Sequence, residues 1–212
     1  MTLRGFRSPA GFTLVELLIG ASLSAIVLAG VLSSYVFLGR QLGRLANQQT
    51  LETEARRALA YFEQDVQRAS GLVTVSTSPI SPAANRVDLT VPTATTTTTI
   101  TYYYNNTSSA ATVAINGTNV SMAANALTRC VYNGSTVTSL TLLRNITSSG
   151  LTLNYYDSSG NIYTTYTDYL PGIKQLAVQF STQIVTTNQG TTTPVQQVTS
   201  SRLVLRNRGF LQ

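Results

Sequence analysis

One carboxylate, Glu16, interrupts an otherwise uncharged run from Phe12 to Leu38, FTLVELLIGASLSAIVLAGVLSSYVFL. A carboxylate among apolar residues at membrane depth is costly and rarely idle, so Glu16 is the first residue here whose type and place point to function. Just ahead of the run stands Gly11, which closes a short, basic, turn-rich segment, MTLRGFRSPAG. With no Cβ, its backbone is open to close approach by another molecule. The remaining inventory is thin. Histidine is absent, which removes the usual proton-transfer group at neutral pH and the commonest metal ligand. The single cysteine, Cys130, has no internal disulfide partner and reads as a small buried apolar residue. Beyond Gly71 the only acidic residues are Asp88, Asp157 and Asp168, the last two in turn-like surroundings. The chain shows no Gly-rich phosphate loop, metal-ligand cluster or nucleophile elbow. It is therefore read as no enzyme, with no catalytic residue, no metal and no cofactor.

The elements around Glu16 follow from hydropathy and charge. As a helix, Phe12–Leu38 would be roughly 40 Å long, more than the ~30 Å of hydrocarbon in a bilayer. That makes it a membrane span, too long for the apolar core of an ordinary cleaved signal. Arg4 and Arg7 form a positive flank that should stay in the cytoplasm and put the C-terminus outside. From Gly39 to Ser70 nine charges appear in 32 residues, while Leu51, Ala55, Ala58, Leu59, Phe62, Val66 and Ala69 recur at helical spacing. No proline falls between Phe12 and Ser70, and Gly71 is a natural stop. The spacing predicts one continuous helix, apolar all round to Leu38 and amphipathic over 39–70.

From Gly71 onward only ten of 142 residues are charged, and Thr, Ser, Asn, Val and Tyr dominate. Alternating runs at 86–91, 98–104, 127–132, 136–143, 151–156, 173–180 and 201–206 read as strands. Asn133-Gly134 predicts a tight hairpin and Asp157–Gly160 another turn. The fold class is α+β: a long N-terminal helix, half membrane-embedded and half amphipathic, packed on an antiparallel β-rich domain. The boundaries read 1–11 leader, 12–38 span, 39–70 amphipathic helix and 71–212 extracytoplasmic β-rich domain.

GFTLVELLIG, 11–20, resembles the type IV prepilin signal: a short basic leader, a glycine, a phenylalanine and a glutamate at the fifth position after the glycine. The resemblance implies cleavage between Gly11 and Phe12 by a prepilin peptidase, N-methylation of Phe12, and subunit assembly through Phe12 and Glu16. Cleavage would free an amine on Phe12 that can pair with Glu16 of a neighbouring subunit and set the register between helices. ETEARRALAYFEQDVQRAS, 52–70, is similar to the helix of minor pilins and pseudopilins of the PilW and GspJ type. Taken singly, its charges read as a solvated helix face with ion pairs at spacings of three and four. Major pilins commonly carry a C-terminal disulfide loop and a proline kink. The lone Cys130 and the proline-free helix depart from both and favour a low-copy subunit.

The implied function is structural: a minor type IV pilus subunit acting in initiation or at the tip. A minor pseudopilin of a type II secretion system, or a DNA-uptake pilus subunit, uses the same leader chemistry. Partners would be the prepilin peptidase, other pilins or pseudopilins, and the inner membrane, with a single-pass precursor moving into the filament. DNA is a further partner to weigh. Arg202, Arg206 and Arg208 at the C-terminus would serve it, and Arg202 and Arg206 would share one face of a strand. The tyrosines 102–104, 155 and 156 could stack on bases, although alternation should turn at least half of them into the core. A charged edge strand kept soluble is the favoured reading of the arginines.

Overall fold

The computed structural model describes residues 11–75, 81–93, 96–163, 172–185, 192–199 and 202–205. One helix, α1 (Leu14–Arg68), runs through without a break, as the proline-free sequence predicts. It ends three residues before Gly71. The chain divides into two compact units, Met1–Asn47 and Gln48–Gln212. In the first unit every described residue from 11 to 40 is exposed, and this stretch is long and apolar enough to cross a membrane.

In the second unit the α1 stripe does what its spacing requires. Leu51, Ala55, Ala58, Phe62, Val66 and Ala69 are buried, and Leu59 is partly so. Among the described residues eleven strands follow in chain order: β1 (Gly71–Leu72), β2 (Arg86–Pro92), β3 (Thr97–Asn105), β4 (Ala111–Ile115), β5 (Thr118–Met122), β6 (Ala126–Tyr132), β7 (Val137–Leu143), β8 (Ile146–Tyr156), β9 (Gln175–Val185), β10 (Thr192–Thr199) and β11 (Leu203–Val204). They form an antiparallel five-stranded sheet in the order β1-β2-β3-β6-β7, and a four-stranded sheet centred on β9. β9 pairs with β8 along one edge and with β10 and β11 along the other. The third sheet is the separate two-stranded hairpin β4-β5.

The main core lies where α1 and the two larger sheets meet. Ala58 and Phe62 of α1 face Tyr102 and Leu127 of the first sheet and Leu153, Val178 and Phe180 of the second. Phe62 meets Tyr102 edge-on, 5.2 Å between ring centres at 86°, the arrangement that ring quadrupoles favour.

One expectation changes, and another holds more widely than alternation alone requires. Tyr102, Tyr103 and Tyr104 are all buried, although adjacent strand residues face opposite sides, because this sheet is covered on both faces: α1 on one, the β4-β5 hairpin on the other. That hairpin carries its own turn signal, Asn116-Gly117 with φ of 46° and 81°, which fits a type I′ turn. Asn133-Gly134 does join β6 to β7, but through a four-residue loop, 133–136, closed at Tyr132↔Val137. Asn133 Oδ1 holds this loop by accepting from the backbone N–H of Ser135 (3.3 Å) and Thr136 (3.0 Å). The turn at Asp157 is as expected: its carboxylate accepts from the Asn161 backbone and side chain, both at 2.8 Å.

Candidate functional site

Gly11, Phe12 and Thr13 precede the first helical residue, Leu14, and Thr13 caps it. The Glu16 backbone N–H donates to Thr13 Oγ1 at 3.2 Å. In return Glu16 Oε2 accepts from the Thr13 backbone N–H at 3.0 Å and from the Thr13 hydroxyl at 2.9 Å. This is a reciprocal capping box, which satisfies two of the donors that any helix start leaves open. The spacing Thr-x-x-Glu ahead of an apolar run is its sequence signal, and reading Glu16 only as an intramembrane charge passes over it. The cap uses one carboxylate oxygen. Oε1 has no hydrogen bond among the described residues, so the site can take a cation while the cap stays made.

Phe12 is 89% exposed, and a Cβ placed on Gly11 would meet nothing within 4 Å. Packing within the described chain therefore does not explain the glycine.

The helix charges divide sharply. Glu52 and Arg56 pair at 2.5 Å on an exposed face at spacing four, as read from sequence. Asp65 does not follow that reading. It is 1% exposed, and its carboxylate accepts from Arg129 Nε (2.6 Å), Arg129 Nη2 (3.1 Å) and the Tyr102 hydroxyl (2.7 Å). Burial and then the Asp65 charge push the Tyr102 hydroxyl far up from its usual pKa. Burial alone would lower the Arg129 guanidinium, but the hydrogen bond and charge of Asp65 outweigh it and the net shift is upward. The Arg129 guanidinium also lies 5.3 Å from the centre of the Tyr61 ring.

At the other end of the chain, Arg202 is exposed, stacks 4.2 Å over the Tyr156 ring and donates to the Gly160 carbonyl at 3.3 Å. Arg206 and Arg208 lie outside the described residues, as does Asp168. Of the candidate stacking tyrosines, only Tyr156 is not buried. Cys130 is fully buried, and its thiol is pushed up to about 11 by burial and then by the Asp88 charge.

Sequence comparison decides the class of the N-terminal segment. The prokaryotic N-terminal methylation motif matches residues 6–32, from inside the basic leader to well along the apolar helix. The N-terminus is prepilin-like. No curated protein and no solved structure matches the chain. Such a motif supports a type IV pilin-like or pseudopilin-like reading of this segment, and with it processing by a prepilin peptidase, assembly with other pilins and membrane anchoring.

Proposed function

We propose that this chain is a structural minor subunit of a type IV pilus, acting in initiation or at the tip. Prepilin peptidase cuts it between Gly11 and Phe12, and the new Phe12 amine is methylated. Before assembly the 12–38 segment spans the inner membrane, with the 1–11 leader in the cytoplasm and the 71–212 β-rich domain outside. The amphipathic 39–70 segment continues the helix. In the filament, lipid contacts along 12–38 are exchanged for contacts with neighbouring helices. The observation that carries this reading is the methylation motif falling on a helix whose every described side chain up to residue 40 is exposed and whose sole carboxylate through residue 38 has an open oxygen. A low-copy role is favoured by the single Cys130, which leaves no internal disulfide loop, and by the proline-free helix.

The direct test is the mass and N-terminal sequence of the protein from its native membrane, with and without prepilin peptidase. The expected product begins at Phe12, is heavier by one methyl group and disappears without the peptidase. An intact Met1, or a cut elsewhere, would sink the reading.

Glu16→Ala separates assembly from processing. It should be cut and methylated normally but enter filaments at least about a hundredfold less well, because the amine of the adjoining subunit loses its counter-charge in a water-poor setting. The comparison is the ratio of sheared-filament to membrane protein on quantitative blots. An unchanged ratio would leave Glu16 as a helix cap only.

A further inference from the structure

The five-stranded sheet has two unlike faces. One, formed by Val87, Leu89, Ile100, Tyr102 and Leu127, belongs to the main core. The other is written as a solvent face. Arg86 and Asp88 of β2 pair across to Tyr103 and Thr101 of β3, which pair on to Thr128 and Cys130 of β6. All six are buried. Part of their cover is the β4-β5 hairpin, whose Val113, Ile115, Val120 and Met122 form a small second core with Tyr103 and Cys130. The hairpin makes no strand ladder with either larger sheet.

The polar groups on this face are of a kind water would serve. Arg86 Nε and Nη2 donate to the Asp88 carboxylate at 2.7 and 3.1 Å, and the Thr101 hydroxyl also donates to that carboxylate. Thr128 Oγ1 is buried with no hydrogen-bond partner among the described residues. Hydration would relieve that orphan, so uncovering this face opposes itself less than uncovering a wholly apolar one.

The neck of the hairpin is narrow and held by one side chain. Asn105 Nδ2 donates to the carbonyls of Ser109 (2.9 Å) and Ala123 (3.0 Å), and Asn105 Oδ1 accepts from the Thr107 backbone N–H (3.2 Å) and hydroxyl (2.7 Å). The Asn125 N–H closes the neck on the Thr107 carbonyl at 3.1 Å.

We propose that the β4-β5 hairpin is a flap that opens as a unit about the Asn105 clamp, baring Tyr103 and Cys130 on this face of the sheet while the main core beneath α1 stays closed. Each opening also bares the apolar inner side of the hairpin, Val113, Ile115, Val120 and Met122. A two-stranded ribbon is marginal by itself, so its apolar contacts with Tyr103 and Cys130 and the Asn105 clamp set the closing strength.

Cys130, the sole cysteine, reports the motion without any substitution. In the closed form its thiol is buried and raised in pKa, so a thiol reagent reaches it only through opening. With the full chain in detergent, Cys130 should react in native buffer with a rate that rises only weakly with urea, much less steeply than global unfolding followed by circular dichroism. Asn105→Ala should speed labelling on the order of tenfold, as expected for loss of buried hydrogen bonds. A control chain carrying Cys130→Ala and Ala58→Cys, with its thiol in the main core, should react only as the whole domain unfolds. Hydrogen exchange on the unaltered chain gives a second reading: amides of 111–122 should exchange well ahead of those of 98–104 and 127–132. If Cys130 reacts only with the urea slope of global unfolding, or the three segments exchange with one common free energy, the flap does not exist.

Discussion

A Gly11→Val chain is expected to stay uncut, its leader still attached, with processing slowed by about two orders of magnitude or more. The site has room for the added side chain: nothing lies within 4 Å of a Cβ at residue 11, and the helix begins only at Leu14 behind its Thr13 cap. Folding and membrane insertion should therefore be untouched. On the proposed cleavage after Gly11, what changes is the fit to the peptidase, to which a branched side chain is offered in place of a bare backbone. A misfit of about 3 kcal/mol in the transition state is a factor of more than a hundred in rate. The consequence should extend to assembly. An uncut chain has no free amine on Phe12, so Glu16 Oε1 of a neighbour finds no cation, and the basic leader with Arg4 and Arg7 would have to enter the helix bundle. Intact mass from membranes of the Gly11→Val strain gives the answer: a Met1 start with no Phe12 product is expected. A normal Phe12 start would show that the glycine has another purpose.

The N-terminal site is legible because its signals are local. A leader, a glycine and a carboxylate five residues later need no knowledge of the rest of the chain, and the Thr13–Glu16 cap is equally local. The buried stripe of α1 was legible for the same reason, since a period of 3.6 survives whatever it packs against. Asp65 shows where such reasoning stops. Within the helix it looks like one more solvated charge, and its partner Arg129 stands 64 residues away on β6. The three adjacent tyrosines of β3 are buried more completely than alternation alone requires. Alternation correctly sends Tyr103 away from α1, but the far face is dry because the β4-β5 hairpin covers it. The hairpin is hard to see in AATVAINGTNVSM, where alanines blur the alternation, even though Asn116-Gly117 names its turn.

Those two surprises carry different energetic weight, and Asp65 carries more. Asp65→Ala should lower the unfolding free energy of the Gln48–Gln212 unit by about 3 kcal/mol or more. The loss arises from what remains. The Tyr102 hydroxyl would keep its burial without an acceptor, and the Arg129 guanidinium would keep much of its burial without a counter-charge. Because the Arg129 side chain is 18% exposed and leans on Tyr61, part of its charge can be hydrated, which places the effect toward the lower end for a broken buried pair. The pair is best judged by removing both charges. Asp65→Leu with Arg129→Met should recover most of the loss, since well-packed apolar replacements of a buried ion pair are near neutral. Glu52→Ala, which breaks the exposed pair with Arg56, should stay within about 0.5 kcal/mol of the parent. Urea unfolding of the four chains in one detergent, with equal slopes required, separates these outcomes. An Asp65→Ala midpoint matching that of Glu52→Ala would mean that α1 is held on the sheet by its apolar stripe alone. The expected spread would mean that one carboxylate pins the last turns of the helix to β3 and β6 at a single rotation and height, which an apolar stripe of alanines and leucines specifies far less sharply.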